Sequence, residues 1–173
     1  MAALGRQTGS TLQRASREMN MKRDGVTLRE MDPDDHSQLV ALWNRFPGNT
    51  LTGADSASGF RKFLHKNHRY CFVAEFEGNI AGSVMAGNDA RRGYIYHLAV
   101  DEDLQGSGIG GRLMEASENA LRADGVEKAH LFIYNDNPAI LFYEKSGWHR
   151  RTDITVMSKV LIGEDYMGTR RDG

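Results

Sequence analysis

The sequence predicts a mixed α/β domain with a mostly antiparallel sheet, one parallel strand pair and about four helices. Strand-like runs come first, at residues 26–30, 70–76, 80–87 and 94–100. A hairpin signal, Glu77-Gly78-Asn79, joins the second run to the third. A further run at residues 129–134 follows a helical pattern, and a strand reached through such a crossover lies parallel to the strand before it. We therefore expect residues 94–100 and 129–134 to form the parallel pair.

Four helices are indicated by capping signals or by an apolar face. The first follows Asp32-Pro33, an N-cap and a first-turn proline, and is expected to end at residues 47–49. The second lies around residues 60–68, after a polar loop, and the third follows a glycine-rich turn. The fourth is expected to begin at Asn137-Pro138, again as N-cap and first position.

Length and charge indicate one small domain with no general affinity for polyanions. The 173 residues suffice for one core, and 22 Lys and Arg residues stand against 23 Asp and Glu residues. This balance argues against nucleic acid and anionic membrane as partners, and no apolar run is long enough to span a bilayer. The single cysteine, Cys71, excludes an internal disulfide. We expect a cytoplasmic protein with a polar extension at residues 1–24, one domain at residues 25–163 and a tail at residues 164–173.

The most informative stretch is the glycine-rich turn at residues 105–111 (QGSGIGG). Glycines let the backbone approach a ligand closely, and the N–H groups of a first helical turn have no intrahelical partners, so such a turn suits phosphate. The nucleoside-triphosphatase loop needs Lys where Arg112 stands. A dinucleotide fingerprint needs an acidic residue at the end of the next strand, where Tyr134-Asn135 stands. Neither of these two patterns fits well.

A third pattern fits better, and it is supported by a second match farther along the chain. Gln105, Gly108 and Gly110 match the signature Q/R-x-x-G-x-G/A, and residues 139–148 (AILFYEKSGW) match A-I-x-F-Y-E-K-x-G-F/W. The chain resembles the GCN5-related N-acetyltransferase (GNAT) superfamily, and most of all its small bacterial YpeA-like acetyltransferases. The resemblance covers residues 26–162.

The resemblance implies an N-acetyltransferase that moves an acetyl group from acetyl-CoA to a primary amine by direct attack in a ternary complex. The amine would belong to a small molecule or a peptide, and its identity depends on the loop around residues 50–69 and on the quaternary structure, for which a homodimer is one option. The alternative is a coenzyme A-binding sensor or interaction domain of the same fold without turnover. No metal is implied.

The resemblance also implies which residues hold acetyl-CoA. In the superfamily the fourth and fifth strands splay around pantetheine, and the glycine-rich turn holds the pyrophosphate. The residues that match these positions are Leu98, Ala99, Val100, Gln105, Gly106, Ser107, Gly108, Ile109, Gly110 and Gly111. An asparagine also meets the coenzyme in these enzymes, and among Asn135, Asp136 and Asn137 we favour Asn137.

Tyr143 is the candidate general acid, because it matches the superfamily tyrosine that faces the coenzyme sulfur. A tyrosine hydroxyl could donate to a thiolate of comparable pKa. The alternative role for Tyr143 is that of an ordinary core tyrosine. The thioester carbonyl would be polarised by a backbone N–H, that of Val100 or Leu98.

The sequence leaves the general base open. Strict alternation puts Tyr94 and Tyr96 on one face of their strand and His97 on the other. The superfamily places the acceptor on the side of Tyr94 and Tyr96, so these two are the expected acceptor-pocket residues, and His97 is expected to be a hydrogen-bonded core histidine. Glu75 and Asp89 are further candidates that are better explained as solvated charges, and a water relay would need none of them.

Residues 1–19 carry few large apolar side chains, so their deletion should remove little buried surface. The shortened chain is expected to keep its melting temperature to within a few degrees and to bind acetyl-CoA as the full chain does. Differential scanning and titration calorimetry on both chains measure this. A shortened chain that is unfolded, or that loses the coenzyme, would show that the extension completes the domain or its dimer.

Overall fold

The computed structural model describes residues 25–46 and 51–162. It contains two compact units, the first ending at Phe132 and the second beginning at Ile133. The predicted extension at residues 1–24, the predicted helix end at residues 47–49 and the predicted tail at residues 164–173 lie outside the described residues.

The first unit is built on a five-stranded sheet whose strands follow chain order. The strands are β1 (Val26–Glu30), β2 (Phe72–Phe76), β3 (Asn79–Asn88), β4 (Gly93–Val100) and β5 (Ala129–Leu131). The first four pair antiparallel, and β4 and β5 pair parallel, which confirms the predicted mixed sheet. Glu77 and Gly78 both have positive φ, as the tight turn of a two-residue hairpin requires.

Four helices accompany the sheet within the described residues. The first unit contains α1 (His36–Trp43), α2 (Ala57–Asn67) and α3 (Ile109–Ala123), and the second contains α4 (Ile140–Lys145). Asp32 caps a 3₁₀ turn, Pro33–Asp35, that leads into α1, and its carboxylate accepts from the Asp34 N–H at 2.9 Å. The predicted capping signal at Asp32-Pro33 is therefore confirmed.

Helices α1 and α2 pack on one face of the sheet, and α3 packs on the other. A Cβ on Gly82 of β3 would lie 3.1 Å from the side chain of Leu113 in α3, whereas its neighbour Ser83 bonds to Trp43 of α1. Successive strand residues point to opposite faces, so the two helical layers are separated by the sheet. The core on the α1 and α2 face consists of Met31, Leu39, Leu42, Trp43, Phe60, Leu64, Cys71, Val73, Ile80, Met85 and Ala99.

Strand β5 is shorter than predicted. It ends at Leu131 instead of residue 134, and its last partner in β4 is Ile95. Strand β4 continues to Val100 and leaves its regular pleat two residues after Ile95. The parallel pair is therefore joined only where the two strands begin.

The start of α4 also differs from the prediction. Asn137 does cap the turn that follows it, because its side-chain oxygen accepts from the Ala139 N–H at 2.9 Å. The bonds that follow it, from Ile140 N to the Asn137 carbonyl and from Leu141 N to the Pro138 carbonyl, are of the tighter 3₁₀ type. The α-helix proper therefore begins at Ile140, after a capped 3₁₀ turn.

Across residues 25–46 and 51–162, no helix combines the length and the apolar character that crossing a membrane requires.

Close packing between α2 and the 3₁₀ turn Gly53–Asp55 gives a stability prediction. A Cβ on Gly59 would lie 2.3 Å from the carbonyl oxygen of Ala54. We expect Gly59→Ala to lower the free energy of unfolding by about 1–3 kcal/mol, although alanine by itself favours a helix by about 1 kcal/mol over glycine.

The matched control is Gly111→Ala in α3, where an added Cβ meets nothing within 4 Å. This variant is expected to stabilise the protein by up to about 1 kcal/mol. Urea unfolding of both variants makes the comparison. Equal stability of the two would contradict the close contact at Gly59.

Candidate active site

The glycine-rich turn ends in an open helix N-terminus. Gly106 and Gly108 have φ of 76° and 87°, a conformation that glycine adopts without strain. Gly108 is the N-cap of α3, with no side-chain cap and no acidic residue in the first turn. The first intrahelical bond runs from Arg112 N to the Gly108 carbonyl, so the N–H groups of residues 109–111 have no intrahelical acceptor. These unpaired groups and the positive end of the helix dipole are suited to an anion.

Side chains within the turn tie it to the sheet. Gln105 Nε2 donates to the Val100 carbonyl at 3.0 Å, and the buried Ser107 hydroxyl donates to the Leu104 carbonyl. The backbone N–H groups of Gln105 and Ser107 are also bonded internally. Among the predicted phosphate-binding residues, Gln105 and Ser107 thus shape the turn, and the glycines and Ile109 present the donors.

Beyond Ile95, β4 extends past its pairing with β5. Leu98, Ala99 and Val100, the residues predicted to lie along pantetheine, belong to this extension. Ala99 is buried, so its side chain faces the core and what it can offer a ligand is its backbone. An unpaired strand edge presents N–H and C=O groups to an extended ligand. Residues 101–108 connect this strand edge to the open helix N-terminus.

A β-bulge interrupts β4 at His97. Ser83 pairs with Ala99, but Met85 pairs with Tyr96, so two residues of β4 stand opposite one residue of β3. His97 has φ of 45°, an unusual conformation for a residue other than glycine that costs about 1–3 kcal/mol.

The bulge changes which face His97 occupies. The His97 ring stacks on Trp43 of α1, with centroids 4.3 Å apart and planes 18° apart. Tyr96 contacts Phe63 of α2 at 5.8 Å, on the same side of the sheet. The predicted placement of His97 on the face away from Tyr96 is therefore wrong, because alternation holds only in a strand without a bulge. No glycine or proline marks the bulge in the sequence.

His97 is paired with a carboxylate that the sequence did not single out. Its Nε2 lies 2.7 Å from Asp55 Oδ1, and the two side chains are 16% and 13% exposed. Asp55 Oδ2 also accepts from the backbone N–H of Thr52 at 2.8 Å and from its hydroxyl at 3.2 Å. Burial acts to raise the pKa of Asp55, but the hydrogen bonds from His97 and Thr52 hold it below its usual range. Asp55 is therefore a carboxylate at neutral pH.

Three further hydrogen bonds fix this pair. Trp43 Nε1 donates to the Ser83 hydroxyl at 2.9 Å, and that hydroxyl donates to the His97 carbonyl at 3.0 Å. His36 Nε2 donates to the Asp55 carbonyl at 2.8 Å. The ring of His97, its backbone and the turn that carries Asp55 are thus all held in place.

Aromatic rings surround the first half of β4. Tyr94 lies 5.9 Å from His130 of β5 and 6.4 Å from Phe132. Tyr96 is 40% exposed and Phe132 is 64% exposed, so aromatic surface is available to a ligand. Burial raises the pKa of Tyr96, with further contributions from Tyr94 and the carboxylate of Asp89.

Glu75 and Asp89 have structural partners in the first unit. Glu75 Oε1 accepts from Arg29 at 2.9 Å, and Arg29 also pairs with Asp35. Asp89 is exposed and accepts from the backbone N–H groups of the two following arginines, which lower its pKa. Asp89 closes a turn and Glu75 joins an ion-pair cluster, so neither arrangement suits a base.

Tyr143 lies in α4 of the second unit. Its ring contacts Phe142 at 5.3 Å and Trp148 at 6.2 Å. Burial raises the pKa of Tyr143 to about 12. Its pKa is thus not comparable to that of a thiol, which corrects the expectation from the sequence, and its hydroxyl stays protonated at all ordinary pH values.

Comparison with known proteins identifies the family. A model described as the acetyltransferase (GNAT) family matches residues 36–148. An acetyltransferase of Pectobacterium atrosepticum is 33% identical over 146 residues, covering 82% of this chain and 100% of that protein.

Two solved structures share the fold. AAC(6')-Iy in complex with the bisubstrate analogue CoA-S-monomethyl-acetylneamine has a TM-score of 0.64 and 14% identity, covering 79% of this chain and 99% of that one. An aminoglycoside acetyltransferase, meta-AAC0020, from an uncultured soil metagenomic sample has a TM-score of 0.62 and 22% identity, covering 80% and 98%. The signatures in the glycine-rich turn and at residues 139–148 agree with these matches. The chain belongs to the GNAT family of acetyltransferases, which use acetyl-CoA as the acyl donor.

Proposed function

We propose that this protein transfers the acetyl group of acetyl-CoA to a primary amine, by direct attack of the amine on the thioester while both substrates are bound. The open N-terminus of α3, at the end of a turn tied to β4, is the observation that carries the proposal. Acetyl-CoA supplies an acyl group activated as a thioester. The residues of the chain supply binding, orientation and proton transfer.

The backbone of the turn and of β4 would bind the donor. N–H groups at residues 108–111 suit the pyrophosphate, because they are uncapped and lie at the positive end of the α3 dipole. The edge of β4 beyond Ile95 suits the pantetheine arm, and the N–H of Leu98 or Val100 would polarise the thioester carbonyl. Asn137 remains a proposed contact through its amide nitrogen, because its side-chain oxygen accepts from Ala139.

An amine acceptor fits the aromatic surface of β4. Aromatic faces attract cations, and Tyr96 and Phe132 are exposed beside Tyr94. Burial is the main cause of the raised pKa of Tyr96, and the carboxylate of Asp89 contributes further, so its negative potential reaches the same surface. Both effects favour an ammonium group arriving in this region, whether it belongs to a small molecule or to a peptide.

Tyr143 is proposed to donate to the departing thiolate. A pKa of about 12 makes it a weaker acid than an exposed tyrosine, so it stabilises the sulfur chiefly by hydrogen bonding as negative charge develops there. The alternative of a coenzyme-binding domain without turnover has less support, because the Pectobacterium relative is named an acetyltransferase.

Gly108→Asp is expected to weaken acetyl-CoA binding by about tenfold or more, equivalent to about 1.4 kcal/mol. The carboxylate would add negative charge at the helix N-terminus, at a position whose φ of 87° already disfavours a side chain. Titration calorimetry on the folded variants measures the affinity. Gly108→Asn is the matched control, since it has the same shape without the charge and should lose less. Wild-type affinity in Gly108→Asp would remove the phosphate assignment.

Tyr143→Phe is expected to lower kcat by about 10²-fold and to leave acetyl-CoA affinity nearly unchanged, because only the hydroxyl is lost. Tyrosine acts here in its protonated form, and a pKa raised to about 12 keeps that form populated well above its usual range. The wild-type rate should therefore show no decline from tyrosine ionisation between about pH 8 and pH 10. Initial rates of thiol release against pH test both points. Full activity of Tyr143→Phe with an accepted amine would refute the role.

A further inference from the structure

We propose that His97, held by Asp55, is the general base that takes a proton from the acceptor amine. The proposal rests on the function proposed above and names the residue that the sequence left open. Three features of the first unit support the proposal. They are the hydrogen bond of the His97 imidazole to Asp55, the accessibility of its other ring nitrogen, and the position of His97 in β4.

The hydrogen bond to Asp55 determines which nitrogen of His97 is free to accept. Asp55 is ionised, so its Oδ1 can only accept, and His97 Nε2 must donate across the 2.7 Å contact. In the neutral ring the lone pair then lies on Nδ1. A carboxylate on one imidazole nitrogen also stabilises the cation that forms when the other takes a proton, as in catalytic carboxylate–histidine pairs.

Nδ1 of His97 is unpaired within the described part of the chain and at least partly accessible to solvent. Within the described residues it has no hydrogen-bond partner, and no side-chain nitrogen or oxygen that is both buried and unpaired occurs there. A fully buried imidazole would need a hydrogen-bond partner for each of its nitrogens. His97 instead buries one face against Trp43, pairs one nitrogen and leaves the other accessible.

The bulge places His97 next to the proposed reaction centre along β4. His97 directly precedes Leu98, whose N–H is one of the two candidates for polarising the thioester carbonyl. It also lies on the sheet face of Tyr96, where the ammonium group is proposed to arrive. The backbone strain at His97 is thus located where acceptor and donor would meet.

Proton transfer through His97 balances the reaction. The substrate ammonium gives one proton to Nδ1, and the neutral nitrogen forms the C–N bond with the thioester carbon. The C–S bond breaks, and the thiolate leaves with the electron pair and accepts a hydrogen bond from Tyr143 while a proton from solvent reaches the sulfur. The second amine proton replaces that solvent proton, and His97 releases its own proton to solvent, so one amide, one thiol and one proton are produced.

The opposing explanation is that the pair only anchors the turn Gly53–Asp55 to the sheet. Among residues 25–46 and 51–162, the charged and titratable groups around His97 are few. Asp55 faces Nε2, His36 of α1 binds the Asp55 carbonyl, and Arg45, just after α1, pairs with Asp101 beyond β4 at 2.9 Å. Trp43 and Ser83, which also contact His97, are uncharged.

The first experiment needs no acceptor. Nitrogen-15 NMR of the full-length protein with labelled histidine, assigned by comparison with His97→Gln, reports the proton on each ring nitrogen. We expect the neutral ring to carry its proton on Nε2, with Nδ1 unprotonated. A neutral ring that carries its proton on Nδ1 would overturn the proposal.

The second experiment measures thiol release from acetyl-CoA with two probe amines, ethylamine and the much less basic hydrazine. His97→Gln can still donate to Asp55 but has no nitrogen that accepts a proton, and near neutral pH we expect a loss of about 10²-fold with ethylamine. The loss of rate should be smaller with hydrazine, because hydrazine is largely neutral before it binds. The loss with ethylamine should shrink as the pH rises. Asp55→Asn should show the same trend more weakly.

The matched control is His36→Gln, which removes an imidazole that binds the same turn through its backbone. Because His36 only helps to position the turn, we expect its loss of rate to be smaller than that of His97→Gln and to be the same for both amines at every pH. An equal loss in His36→Gln and His97→Gln, or a loss in His97→Gln that is the same for both amines at every pH, would show that the pair is only an anchor. A wild-type protein that acetylates neither probe would count against the proposed function, while the NMR result would still decide the state of His97.

Discussion

The hydroxyl of Ser83 holds the candidate active site together from within the core. It accepts from Trp43 Nε1 and donates to the His97 carbonyl, at 2.9 and 3.0 Å. Ser83 and Trp43 are fully buried, so a donor left unpaired there would cost about 1–3 kcal/mol. These two bonds join α1, β3 and the bulge of β4. The orientation of His97, and through it the place of the turn that carries Asp55, follows from this buried contact.

The features that the sequence predicted well are decided by short-range interactions. β1 has the predicted bounds, and Asp32 caps the turn before α1 through bonds to residues two and three positions away. The glycine-rich turn was readable for the same reason, since positive φ at Gly106 and Gly108 and an uncapped helix start are local properties. Parallel pairing of β4 and β5 followed from the intervening helix.

The features that the sequence missed depend on contacts between distant residues. His97 and Asp55 are 42 positions apart, and no sequence pattern around either residue predicts that they pair. The pattern Thr52-x-x-Asp55 is a recognisable capping box, which explains one set of bonds to the carboxylate but not the imidazole. The bulge is likewise formed by tertiary contacts with Trp43 and Ser83, so a face assignment from alternation alone could not place His97 correctly.

The bond from Gln105 to the Val100 carbonyl has a consequence for donor choice. It ties the proposed anion site to the end of β4, so the backbone sets the separation between them. In the function proposed above, an elongated thioester would fit when the distance from its phosphates to its reactive carbon matches that separation. A thioester lacking the phosphate end would meet the strand without an anchor, so donor choice would depend on the length of the carrier more than on the shape of the acyl group.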